Sequence, residues 1–219
     1  MVELVAVAVH QIAAILFELD TSVHKDDGIT DWAPPRSDVW YWRWYPNGPH
    51  PTLFYHWWYL DYAQYPRSVA DVVGYWAEAR ILGGVVLFDR RDPKTTPEAD
   101  SNAIYFHPDR YEVTYRIYQL LPEQRKILLD FLLADEPPAC PLPILPDLNN
   151  RIRVDPEEPI KTTKIYRDLW ERKSLPPDAG DQRERDVWDE REWPTMEDWR
   201  ASRRRARERG ERVIRGEYD

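Results

Sequence analysis

Apolar positions open the chain at helical spacing. Within residues 3–19 they fall at 4, 5, 8, 12, 15, 16 and 19, one face of an amphipathic helix, although the opening VAVAV also fits a strand. Residues 20–38 are polar and broken by Gly28 and Pro34-Pro35, which predicts a loop. In VWYWRWY (39–45) the spacing changes to strict alternation. Trp40, Trp42 and Trp44 share one face, while Val39, Tyr41, Arg43 and Tyr45 share the other. After the turn residues PNGPHP, the run LFYHWWYLD (53–61) reads as a second aromatic strand, and the two form a hairpin.

Helical spacing returns after Pro66. Ser68 is a predicted N-cap with Asp71 three residues on, and Val69, Val72, Val73, Trp76 and the stem of Arg80 share a face. A glycine inside a helix costs about 1 kcal/mol relative to alanine, so Gly74 marks a close packing contact. Gly83-Gly84 ends the helix before VVLF (85–88), a buried strand. IYFH (104–107), a turn at Pro108-Asp109-Arg110 and EVTYRIYQL (112–120) predict a second hairpin. Pro122 opens a closing helix with the stripe Ile127, Leu128, Phe131 and Leu132.

The order α-ββ-α-β-ββ-α predicts an α+β domain over residues 1–135: a mostly antiparallel five-stranded sheet with helices packed on one face. Five prolines within 137–146 make residues 136–160 a stiff linker. Residues 161–219 read as an extended charged tail with short helices, one near 163–173 and one from Thr195 that carries eight arginines between 200 and 215. On this division a chain ending near residue 136 folds by itself.

Charge and cysteine narrow the choice of partners. Residues 1–146 carry a net −8 and residues 147–219 a net −1, so the front of the chain repels phosphate backbones. Glu208 and Glu211 can pair with the arginines around them, which leaves RNA or an acidic protein surface as a lesser option for the tail. The single Cys140 excludes an internal disulfide and a multi-cysteine metal site, and fits a reducing compartment, cytosol or nucleus. The first apolar run lacks a basic start and is interrupted by His10 and Gln11. It is therefore expected to be a buried element and not a leader or a membrane span.

Candidate chemistry is sparse. His56, Asp61 and His107 are the acid–base candidates, because a histidine beside a carboxylate between aromatic walls titrates near neutrality. His50, His56 and Asp61 match no metal-ligand spacing, no phosphate loop occurs, and no metal or cofactor is expected. Tyr41, Arg43, Tyr45, Tyr55, Trp57 and Tyr59 are candidate binding residues on an aromatic sheet face. The stretches DVVGYWAEARILGGVVLFDR (71–90) and YFHPDRYEVTYRIYQLLPEQRKILLDFLL (105–133) resemble segments of an uncharacterised protein family of filamentous fungi. That resemblance implies no activity and carries over no functional residue.

The expectation is a non-catalytic interaction or scaffolding module that docks a protein partner, or its own tail, on the aromatic face. An enzyme acting on a small apolar molecule, with His56 and Asp61 or His107 as acid–base groups, is the alternative.

Overall fold

Among the described residues, short aliphatic runs build the sheet and the aromatic run 53–61 does not. The computed structural model describes residues 1–19, 35–39, 42, 50–97, 99–109, 113–136, 138–156 and 158–172, with positions 197, 200, 201, 204, 208, 211 and 215. Its strands are β1 (Val85–Asp89), β2 (Ile104–His107), β3 (Ile117–Gln119), β4 (Arg153–Val154) and β5 (Ile165–Tyr166). They run antiparallel in the order β4-β3-β2-β1-β5, with Val85 opposite His107, Phe106 opposite Tyr118, Ile117 opposite Val154 and Phe88 opposite Tyr166. The predicted α+β class, an antiparallel five-stranded sheet with helices on it, is the observed one.

Among the described residues, α1 (Val2–Leu19), α2 (Val69–Ile81), α3 (Pro122–Leu133) and α4 (Ile160–Thr163) join the sheet. Pro122 starts α3, and the Gln124 side chain accepts the backbone N–H of Leu121 at 2.9 Å. Ser68, at φ +53°, makes no side-chain cap; Asp71 instead accepts the Arg67 backbone N–H at 2.8 Å. Gly83 has φ +111°, and a Cβ there would lie 2.1 Å from the Ile144 carbonyl oxygen, so the turn into β1 requires glycine.

Strand residues alternate between two covered faces. Val86, Phe88, Ile104, Phe106 and Tyr118 pack with Val2 and Ala6 of α1, Leu128 of α3, and Ile144. Val85, Leu87, Tyr105, Ile117 and Ile165 pack with Tyr59, Tyr65, Val72 and Tyr75. Helices and loops thus cover both faces, where the sequence suggests one.

Several expectations change. Residues 53–61 are turns and loop, not a strand. Their N–H groups are satisfied locally, Phe54 by Thr52 Oγ1, Trp58 by His56 Nδ1 and Tyr59 by the His56 carbonyl, which competes with a ladder. Of the other aromatic run, Val39 and Trp42 are helical; positions 40, 41 and 43–45 lie outside the described residues, so Tyr41, Arg43 and Tyr45 do too. The predicted helix near 163–173 is one turn, α4, closed by Lys164 at φ +55°, after which Ile165 enters the sheet. The division at residue 135 cuts through the sheet: β4 and the core residue Ile144 come from the supposed linker and β5 from the supposed tail. Edge strands as short as these were invisible among the prolines and charges around them. The described positions between 197 and 211 are helical.

Candidate functional site

The acid–base candidates meet only in part. His56 and His107 lie side by side, ring centroids 5.0 Å apart, both wholly buried between Tyr59 and Trp58. His56 Nε2 donates to the His107 carbonyl at 3.2 Å, and its Nδ1 accepts the Trp58 N–H at 3.2 Å. That pair of bonds consumes both nitrogens of a neutral ring and leaves none for Asp61, which opens the 3-10 turn Tyr62–Gln64. Burial pushes the His56 pKa down to about 4. Burial also pushes His107 well below its ordinary value, and its Nδ1 bonds the Tyr59 hydroxyl at 3.0 Å. Of the binding candidates nearby, Tyr59 is fully buried, Tyr55 is half-buried and Trp57 is exposed, with Tyr55 and Trp57 in an edge-on contact at 5.1 Å.

A second buried cluster escaped sequence reading. The ridge Val2, Ala6, His10 and Ala14 of α1 recurs every four residues and is buried, with α2 its chief neighbour. Opposite His10 stands Gly74, where a Cβ would come within 2.5 Å of the imidazole ring, the close contact expected of a helical glycine. His10 Nδ1 lies 2.8 Å from Glu78 Oε1 and Nε2 lies 3.0 Å from Asp71 Oδ1. Two carboxylates on two nitrogens require both to donate, so the ring is an imidazolium.

The charge is balanced from the C-terminal side. Arg167, just beyond β5, donates from Nη1 to Glu78 Oε2 at 2.7 Å, and its backbone N–H bonds Glu171 Oε2 at 3.0 Å. Burial alone pushes His10 down, but its bonds to Asp71 and Glu78 outweigh that and raise it. Burial pushes Asp71 and Glu78 up; His10 outweighs it for Asp71, and Arg167 for Glu78, so both carboxyls end below their ordinary range. The imidazolium and the guanidinium thus share Glu78, with Asp71 on the far side of His10 and Asp168 on Arg167 Nε at 3.0 Å. Tyr75 joins it to the aromatic cluster, meeting His10 edge-on at 4.5 Å and stacking on Tyr59 at 4.4 Å.

This clasp determines how α1 is presented. With small residues and a charged ring turned inward, the large aliphatic side chains face out: Leu4, Ile12, Leu16 and Leu19 expose 73, 58, 61 and 72% of their surface. The apolar face read from the sequence as buried is the outer one. Its two carboxylates are paired, Glu3 with Arg90 at 2.5 Å and Glu18 with Arg67. By length and apolar composition alone, α1 reaches what a membrane crossing needs. The chain matches no protein-family model, no curated protein and no solved structure.

Proposed function

We propose that this protein is a non-catalytic protein-interaction module whose docking surface is the outer face of α1. One observation carries the reading: a buried ionic clasp holds α1 with its large aliphatic side chains outward. A continuous exposed apolar patch of this kind marks interaction surfaces in soluble proteins. The docking surface moves from the aromatic hairpin to α1 because residues 53–61 form no strand and Tyr59 is buried. His56 and His107, neutral and without solvent-accessible surface, speak against the acid–base alternative.

The test is the pair of substitutions Ile12→Lys and Leu16→Lys in one chain. A docking face tolerates both, and in dilute solution the melting midpoint stays within a few degrees of wild type. A face that is core in solution instead loses several kcal/mol, and unfolding of the double variant would refute the reading.

A further inference from the structure

The stripe on α1 has the spacing of a helix–helix seam. Met1, Val5, Ala8, Ile12, Ile15 and Leu19 follow one another at intervals of four, three, four, three and four residues, the 3.5-residue repeat of coiled-coil contacts. Met1, Ala8, Ile12, Ile15 and Leu19 are exposed and Val5 is half-buried, while Leu4 and Leu16 broaden the stripe. The spacing is distinct from the buried ridge 2, 6, 10, 14, so one helix carries two seams. At 1.5 Å per residue its 18 residues span about 27 Å, enough for a helix pair of ordinary length.

We propose that the occupant of this face is the α1 helix of a second copy of this chain, crossing antiparallel about a two-fold axis. The proposal rests on the reading of α1 as a docking face and adds the partner's identity. Two properties single out the chain itself. First, the seam is uncharged and its rim neutralised, because Glu3 and Glu18 are each held by an arginine of their own chain. Such a face matches another neutral apolar face, and an identical one satisfies that condition automatically. Second, the seam is complementary in size to its own reverse. An antiparallel crossing centred near His10 sets Ala8 against Ile12 of the second copy and Val5 against Ile15, so small meets large at the centre. A parallel crossing sets Ala8 against Ala8 and leaves a gap there. In a two-fold interface each such contact occurs twice.

A membrane is the competing occupant, since α1 meets the length and apolarity of a crossing helix. The net charge of −9 opposes approach to anionic lipid, and burying the outer face in lipid would still leave the inner ridge fastened to α2.

Sedimentation equilibrium of the full chain over a range of micromolar concentrations is the primary experiment, on wild type and on Ile12→Lys/Leu16→Lys. The expected result is a monomer–dimer equilibrium in wild type, with the dissociation constant raised by about 30-fold or more in a double variant that stays folded. A wild type that stays monomeric overturns the second copy. In that case a folded double variant leaves the docking reading standing, and an unfolded one removes both. Orientation is read in a Cys140→Ser background, since Cys140 is an exposed thiol. Mixed Ala8→Cys and Ile12→Cys chains should oxidise to the heterodisulfide ahead of either homodisulfide. Dominant homodisulfides would overturn the antiparallel register. Flotation with phosphatidylcholine vesicles, lost in the double lysine variant while wild type sediments as a monomer, would assign the face to lipid.

Discussion

His10 and His56 are both buried, yet the fold holds them in opposite protonation states. His10 sits where two helices meet, with a carboxylate on each nitrogen and a guanidinium behind one of them. His56 sits among aromatic rings, with a backbone carbonyl on one nitrogen and a backbone N–H on the other. Burial disfavours the charged ring in both places. What decides the outcome is whether the neighbours accept two protons or one. The charged region fastens the N-terminal helix to α2 and to the segment after β5, and so orients the outer face of α1. The neutral region fills the core over the sheet.

The sharpest way to break this contrast is to remove the C-terminal side of the clasp. A chain ending at residue 136 lacks β4, β5, Ile144 and Arg167, so Glu78 and the exposed edges of β1 and β3 lose their partners. We expect no cooperative thermal transition. A soluble fragment with a sharp melt would show that the clasp is peripheral.

Next in size is Glu78→Ala. It takes the shared carboxylate from His10 and Arg167, leaving them only Asp71 and Asp168, and also removes an acceptor from the Val86 N–H at 3.2 Å. A loss of ~3–5 kcal/mol in urea unfolding is expected. A near-neutral result would mean that the clasp is solvated and that His10 is an ordinary histidine.

The two histidines should also shape the dependence of stability on pH, with opposite signs. For His56 the folded value, about 4, lies below the ordinary 6.5, so the unfolded chain takes up the proton first. Its contribution is complete above pH 6.5 and fades as pH falls toward 4, a loss of ~3 kcal/mol. His107, also lowered, adds to that acid limb. For His10 the folded value is raised, so its contribution is complete below pH 6.5 and fades as pH rises through the folded value. Stability to denaturant should therefore be greatest near pH 6.5. His56→Gln should flatten the acid limb, and His10→Gln the alkaline one. A curve that is level from pH 4 to 8 would refute both assignments.

The smallest effect concerns the neutral region alone. Tyr59→Phe removes the hydroxyl bonded to His107 Nδ1 at 3.0 Å and leaves that buried nitrogen without it. A cost of ~1–3 kcal/mol is expected, with the His10 titration followed by NMR unchanged. A displaced His10 titration would instead show that Tyr75, which touches both clusters, couples them.

Much of the secondary structure was legible because it rests on local rules. Helical spacing located α1 and α2, Pro122 located the start of α3, and aliphatic runs located β1 and β2. The glycine at 74 pointed correctly to a close contact, because only packing repays its cost in a helix. The aromatic run at 53–61 misled, because its alternation mimics a strand while Thr52 and His56 close local turns instead. Of the candidate site, the pairing of His56 with His107 was within reach of the sequence. The clasp was not: His10 and Arg167 are 157 residues apart, and nothing local marks either as a buried ion.

By itself, the sequence determined where the long helices and central strands lie, since their periodicities are properties of neighbouring residues. It also determined that the N-terminal helix carries a wide apolar stripe. Only the tertiary structure decided which side of that helix faces inward. Hydrophobicity alone would bury Leu4, Ile12, Leu16 and Leu19. The inner ridge prevails because Ala6, Ala14 and Gly74 let the helices approach closely enough for His10 to bridge Asp71 and Glu78. That bridge gains its second cation only once the chain has returned with Arg167, an event no local pattern encodes.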